Sequence, residues 1–125
     1  MIGDDLMFDK INEITHEVVK GGVELLGDKI DKIVLYGSYA RGDYDEESDV
    51  DIMFLLDCKD TEISNYRQKL SELSSRIGLD YDIFVSLFLK DKETFYKWLD
   101  VLPFYQNVQK DGGSFVWITF SHYVI

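Results

Sequence analysis

An α/β fold is predicted by three features of this chain. Apolar runs rich in β-branched and aromatic residues occur at Ile33-Val34-Leu35-Tyr36, at Val50 to Leu56 and at Tyr81 to Leu87. Segments 11–26 and 61–77 instead space their apolar residues three and four apart, the helical period. Strands and helices therefore alternate along the chain, which is the order expected when helices cover a sheet.

Taken in order, Ile11, Ile14, Val18, Leu25 and Leu26 describe an amphipathic first helix that breaks or ends near Gly21-Gly22 or Gly27. A strand over 32–36 stops at Gly37, and Ser38 opens a stretch with Ala40 and Arg41 that suits a helical turn. Asp43-Tyr44-Asp45-Glu46-Glu47-Ser48 reads as a mobile, solvated acidic loop in which Asp43 can orient Arg41. After the strand over 50–56, Ile63, Tyr66, Leu70, Leu73 and Ile77 make 61–77 the clearest helix, with Gly78 placed to stop it. A strand over 81–88 follows. Phe95, Trp98, Leu99 and Leu102 then suggest a helix before Pro103, and Pro103 fits the first turn of a short helix ending by Gly112-Gly113. Aromatic residues here are ordinarily core, although Trp98, Phe104 and Tyr105 also suit a docking patch. The β-prone tail 113–125 fits an edge strand, a partner-binding tail or a divergent terminus.

The chemistry is concentrated around Gly37. A strand that ends in Gly-Ser and turns into a helix leaves backbone N–H groups without intrahelical partners, which suits an anion such as triphosphate. Glycine lets the chain approach that anion, and the Ser38 hydroxyl can donate to a phosphate oxygen. Asp49 and Asp51 stand two apart at the head of a strand, so they share a face with Cα atoms about 6.6 Å apart at about 3.3 Å per residue. Such carboxylates repel each other unless a cation lies between them, and two-metal sites hold their ions about 3.5–4 Å apart. A third acid is offered by Asp80 or Asp82, of which Asp82 lies nearer the apolar part of its strand. An isolated Asp-x-Asp in a chain with 24 acids is ordinarily a solvated loop, and Gly-Ser is ordinarily a plain turn. Their occurrence together, immediately before a buried-looking strand, favours metal-dependent nucleotide chemistry.

The runs GSYARG, SDVDIMFLL and DYDIFVSL resemble the polymerase-beta-like nucleotidyltransferases, with ten residues between Ser38 and Asp49. The likeness is greatest to minimal nucleotidyltransferases (MNT) and spans residues 10 to 112, including the LPFYQNV run that resembles the closing helix of MNT antitoxins paired with HEPN ribonucleases. It implies a small mixed sheet with helices mainly on one side. It also implies transfer of a nucleotide from ATP, with Asp49, Asp51 and Asp82 holding two Mg²⁺ ions and Gly37 and Ser38 cradling the outer phosphates. Arg41 would touch phosphate or pair with a nearby acid. The implied partner is a HEPN-domain ribonuclease toxin, modified with AMP on a tyrosine within a hetero-oligomer. A purely occluding antitoxin, and a subunit that nucleotidylates a small molecule or RNA end with a helical partner, are the competing readings.

Composition bounds these expectations. The 125 residues suit one domain spanning 1–125, and 46% hydrophobic content supports a folded core. A formal charge of −11 argues against direct nucleic-acid binding, which needs Lys and Arg at phosphates. The lone Cys58 excludes an internal disulfide and reads as an inert small residue. His16 and His122 lack companions that would make either a zinc ligand. With no leader or long apolar run in view, the expected location is cytoplasmic and off the membrane.

Overall fold

The computed structural model describes residues 2–113 and 118–119, with side chains described over 9–111. Helix α1 (Ile2–Leu26) leads into β1 (Ile30–Tyr36), the short α2 (Ser38–Arg41) and β2 (Val50–Leu56). Then come α3 (Ser64–Tyr81), β3 (Val85–Asp91), α4 (Lys92–Trp98), α5 (Pro103–Gly113) and β4 (Ile118–Thr119). The mixed sheet has the order β3-β2-β1-β4. Strand β1 runs antiparallel to β2 and to β4, whereas β2 and β3 are parallel. That parallel pair requires a crossover, which α3 supplies.

Alternation along β2 decides the layers. Ile52, Phe54 and Leu56 face a larger core built with Ile14 and Val18 of α1 and Leu70, Leu73 and Ile77 of α3. Met53 and Leu55 face the other way, onto Phe95 of α4 and Tyr105 and Val108 of α5. The sheet is therefore covered on both faces. The larger layer lies on one side, as expected, but the second face is closed too because β2 is apolar at successive positions rather than alternate ones.

Several expected boundaries shift for local reasons. Helix α1 runs unbroken through Gly21-Gly22, since these glycines mark close packing: a Cβ on Gly21 would overlap Leu73 and one on Gly22 would overlap Phe54. Gly78 does not stop α3. The helix continues to Tyr81 and is capped by Asp82 in the left-handed region (φ 53°), with the Ile83 N–H returning to the Gly78 carbonyl at 3.1 Å. Asp tolerates this conformation better than most residues. The third strand accordingly starts at Val85, not at 81. The acidic loop holds turns of its own: Ser48 N–H donates to the Asp45 carbonyl, and Asp45 Oδ1 accepts from Glu47 N–H. Of the tail, Ile118 and Thr119 pair with Ile33 and Lys32 at the sheet edge, and His122 lies outside the described residues.

Candidate active site

Antiparallel pairing sets Tyr36 opposite Asp51, so the end of β1 and the head of β2 meet at Gly37. Gly37 turns the chain with φ 80° and ψ −161°, a conformation essentially confined to glycine. Its bare Cα lies against Asp51: a Cβ there would overlap Asp51 Oδ2. Ser38, half-buried, then begins α2, whose Tyr39 stacks on Tyr44 with ring centroids 4.6 Å apart. That stacking ties the acidic loop leading to Asp49 back onto α2.

Asp51 is half-buried and Asp49 is exposed beside it. Burial, then the neighbouring Asp49 charge, pushes the Asp51 carboxyl up from 3.8 to about 6, while Arg41 pulls in the opposite direction. This carboxylate is thus held at a cost that a cation would relieve. On the far side, Ser86 of β3 lies across from Asp51, and Val50 N–H donates to the Phe84 carbonyl at 2.9 Å. Tyr36 completes the surroundings: burial, with Asp51 nearby, raises its phenol, so it stays protonated. Phe104 meets Tyr36 edge-on at 5.8 Å and Phe88 at 5.5 Å, forming an aromatic wall next to the pair.

Arg41 pairs with acids. Its Nε donates to Asp43 Oδ2 at 3.1 Å and its Nη1 to Asp111 Oδ2 at 3.0 Å. The same Asp111 oxygen accepts the Gly37 N–H at 3.0 Å. Asp111 is absent from the site expected on sequence, although a signal existed: Tyr105, Val108 and Asp111 stand three apart, which puts an acid on the buried face of α5.

Asp80 and Asp82 are placed differently from the expectation. Both are exposed, and among the described residues no three His, Cys, Asp or Glu side chains form a group able to hold a metal. The expected place of Asp82 on a strand fails because it caps α3 three residues before β3 begins, where alternation does not apply. Asp82 instead borders a groove of about 440 Å³ with Ser74, Gly78, Leu79 and Phe84. Of the expected docking aromatics, Trp98 (42%) and Phe104 (43%) are exposed, but Tyr105 is buried in the second core. Cys58 follows the opposite end of β2, where burial and then Glu62 raise its thiol, unlike an activated nucleophile.

The residues fit a divalent cation. Mg²⁺ commonly takes one or two carboxylates and fills its remaining positions with water and substrate phosphate oxygens, so Asp49 and Asp51 are a sufficient protein donor set. Among the described residues no helix is long and apolar enough to cross a membrane.

Comparison with known proteins gives the family of the chain. A family model described as nucleotidyltransferase domain matches residues 17–108, a span that includes Gly37, Ser38, Asp49, Asp51 and Asp82 and stops short of Asp111. Three curated proteins of Methanocaldococcus jannaschii are similar. "Putative protein adenylyltransferase MJ0141" is 41% identical over 96 residues, covering 77% of this chain and 95% of the relative. "Putative protein adenylyltransferase MJ0604" is 36% identical over 84 residues, covering 67% and 76%, and "Putative protein adenylyltransferase MJ1379" is 37% identical over 70 residues, covering 54% and 70%. With the match spanning most of the chain and the carboxylate pair, the chain belongs to the nucleotidyltransferase domain family, as a minimal polymerase-beta-like enzyme of nucleotidyl transfer.

Proposed function

We propose that this nucleotidyltransferase is the antitoxin of a toxin–antitoxin pair, a Mg²⁺-dependent protein adenylyltransferase that moves AMP from ATP to a tyrosine of a HEPN-domain ribonuclease toxin. The observation that carries the reading is the Asp49–Asp51 pair set against the bare Gly37. The names of the relatives support a protein acceptor, and the net charge of −11 disfavours a nucleic-acid one. The exposed Trp98, Leu102 and Phe104, of which Phe104 belongs to the aromatic wall beside Asp51, suit docking of that acceptor.

Asp49 and Asp51 would hold the metal, whose positive charge offsets charge on the triphosphate and on the leaving oxygen. Ser38 would donate to an outer phosphate, and Arg41 adds positive charge on the same side. The tyrosine oxygen attacks the α-phosphorus as the bond to the bridging oxygen breaks. Pyrophosphate leaves and the phenolic proton is released. Asp82, the third expected ligand, is exposed at the C-cap of α3, so its exchange is the informative one. Asp82→Asn, which keeps the left-handed cap, is expected to retain transfer within about tenfold of wild type. A loss as deep as that of an Asp51 variant would show that Asp82 reaches the metal during the reaction.

The reading is tested by incubating the protein with its partner, ATP and Mg²⁺ and measuring intact mass. The partner should gain the mass of one AMP on a tyrosine. An unchanged mass with every nucleotide, in a complex that still silences the toxin, would leave occlusion as the function. Ser38→Ala should weaken ATP binding by about 1.5–3 kcal/mol, the worth of a hydrogen bond to a charged group, while barely altering AMP binding. Calorimetry with both nucleotides checks this, and equal losses would return Ser38 to a structural role.

A further inference from the structure

Asp111 is the acid that the site does not yet account for. It is 6% exposed, in the last turn of α5, and its Oδ2 receives two hydrogen bonds of 3.0 Å, from the Gly37 N–H and from Arg41 Nη1. Both donors belong to the corner that frames Asp51. Gly37 packs its Cα on the Asp51 carboxylate, and the Arg41 guanidinium is gripped on its other side by Asp43 at 3.1 Å. One N–H of that corner, which the strand end was expected to offer to a phosphate, is therefore taken by a carboxylate of the chain itself.

A buried carboxylate is retained at a desolvation cost that its partners must offset, and a charge-assisted pair plus a backbone N–H does so with directional bonds. Those bonds fix the Gly37 peptide plane and the guanidinium together from a helix about 70 residues away in sequence. Loosening them would let Gly37 and Arg41 move independently beside Asp51. We propose that Asp111 is a positioning residue of the nucleotidyl transfer, clamping Gly37 and Arg41 so that the space beside Asp51 keeps the shape that receives the nucleotide phosphates. The proposal rests on the reading of this corner as the nucleotide site. It concerns an outer partner of the ligand-bearing segment, where exchange of such groups commonly costs about 10–100-fold.

The test uses the full chain with its partner protein and the variants Asp111→Asn and Asp111→Ala. Asn keeps an oxygen for the Gly37 N–H but removes the charge facing Arg41, whereas Ala removes both. Calorimetry of Mg·ATP binding and steady-state transfer of AMP to the partner are read together, with exchange of the Gly37 amide followed by NMR. ATP affinity and KM for ATP should worsen by about tenfold in Asn and by up to about a hundredfold in Ala. The KM for the partner should stay within about twofold, and the Gly37 amide should exchange faster in Ala but not in Asn. Should Ala fail to fold, the Asn variant carries the comparison. Folded variants with wild-type ATP affinity, or equal rises in KM for ATP and for the partner, would overturn the proposal and leave Asp111 a structural tie. Wild-type protein that binds no Mg·ATP would overturn the reading of the site and this proposal with it; normal wild-type binding with unaltered variants overturns this proposal alone.

Discussion

Replacing Asp51 by Asn is expected to abolish nucleotidyl transfer and, at neutral pH, to make the metal-free protein more stable. The catalytic half follows from the donor count. Asp49 and Asp51 would supply the carboxylates that hold the metal, while the nearby Asp43 and Asp111 are engaged by Arg41, so removing one charge halves the donor set. Metal-borne charge stabilisation is worth several kcal/mol at the transition state, hence a loss of about a thousandfold or more.

The stability half follows from the raised Asp51 carboxyl, at about 6 in the folded chain against 3.8 ordinarily. A folded-state value above the unfolded one means that the folded chain binds the proton more tightly. The resulting stabilisation is fully present below about pH 4 and is lost as pH rises through about 6. Above that, the native state keeps a half-buried charge next to Asp49. Taken at face value the shift corresponds to about 3 kcal/mol, and screening of a partly exposed group brings this to about 1–2 kcal/mol. Urea denaturation between pH 4 and 7.5 should show wild type losing that much between pH 4 and 6 relative to Asp51→Asn. Mg²⁺ should stabilise wild type alone. An Asn variant that is less stable at pH 7, or that still binds Mg·ATP as wild type does, would remove the metal-holding pair from the mechanism.

The legibility of this site in the sequence depended on whether its chemistry was local. Gly37, Ser38, Asp49 and Asp51 lie on the two sides of one antiparallel strand pair, so their spacing along the chain already implies their meeting in space. Helix and strand periods likewise gave the order of α1, β1, β2 and α3, because each has an uninterrupted apolar face. Asp82 was misplaced by a boundary. The residues Asp80 to Ile83 show the polar and apolar alternation of a strand, yet the backbone stays helical to Tyr81 and turns through the left-handed region before pairing begins. Periodicity alone does not separate these outcomes, since they differ in how α3 docks rather than in composition. The glycine pair at 21–22 misled in the opposite sense. It reads as a break, whereas Leu73 and Phe54 come so close that no side chain would fit.

Asp111 lay beyond local reading for a related reason. Its partners, Gly37 and Arg41, are 74 and 70 residues away, and only the packing of α5 across the second face brings them within bonding distance. The sequence carried the hint of an acid in line with Tyr105 and Val108. It carried nothing about which cation would answer that acid. Arg41 shows the same limit: phosphate contact and pairing with an acid were both open, and the structure supplies two acids.

Gly37→Ala should cause the other large effect, and a second glycine in the same corner provides its control. Gly37 has φ 80° and ψ −161°, where a side chain costs about 1–3 kcal/mol in backbone strain. Its new Cβ would also overlap Asp51 Oδ2, so either the carboxylate or the peptide must move, and the hydrogen bond to Asp111 is disturbed with it. A misplacement of about 1 Å at reacting groups costs on the order of a hundredfold, which sets the expected loss of transfer. Gly42, which ends α2 with φ 87° and ψ 6°, has open space where its Cβ would go. Gly42→Ala therefore carries left-handed strain of about 1–2 kcal/mol without touching a carboxylate. Both variants should melt several degrees below wild type, while only Gly37→Ala should lose Mg·ATP binding and transfer. The measurement is a thermal melt paired with calorimetry and intact-mass assay on each variant. Equal loss of transfer in both would mean that the corner tolerates no strain of any kind; full transfer by Gly37→Ala would mean that the close approach of Gly37 to Asp51 is incidental to the chemistry.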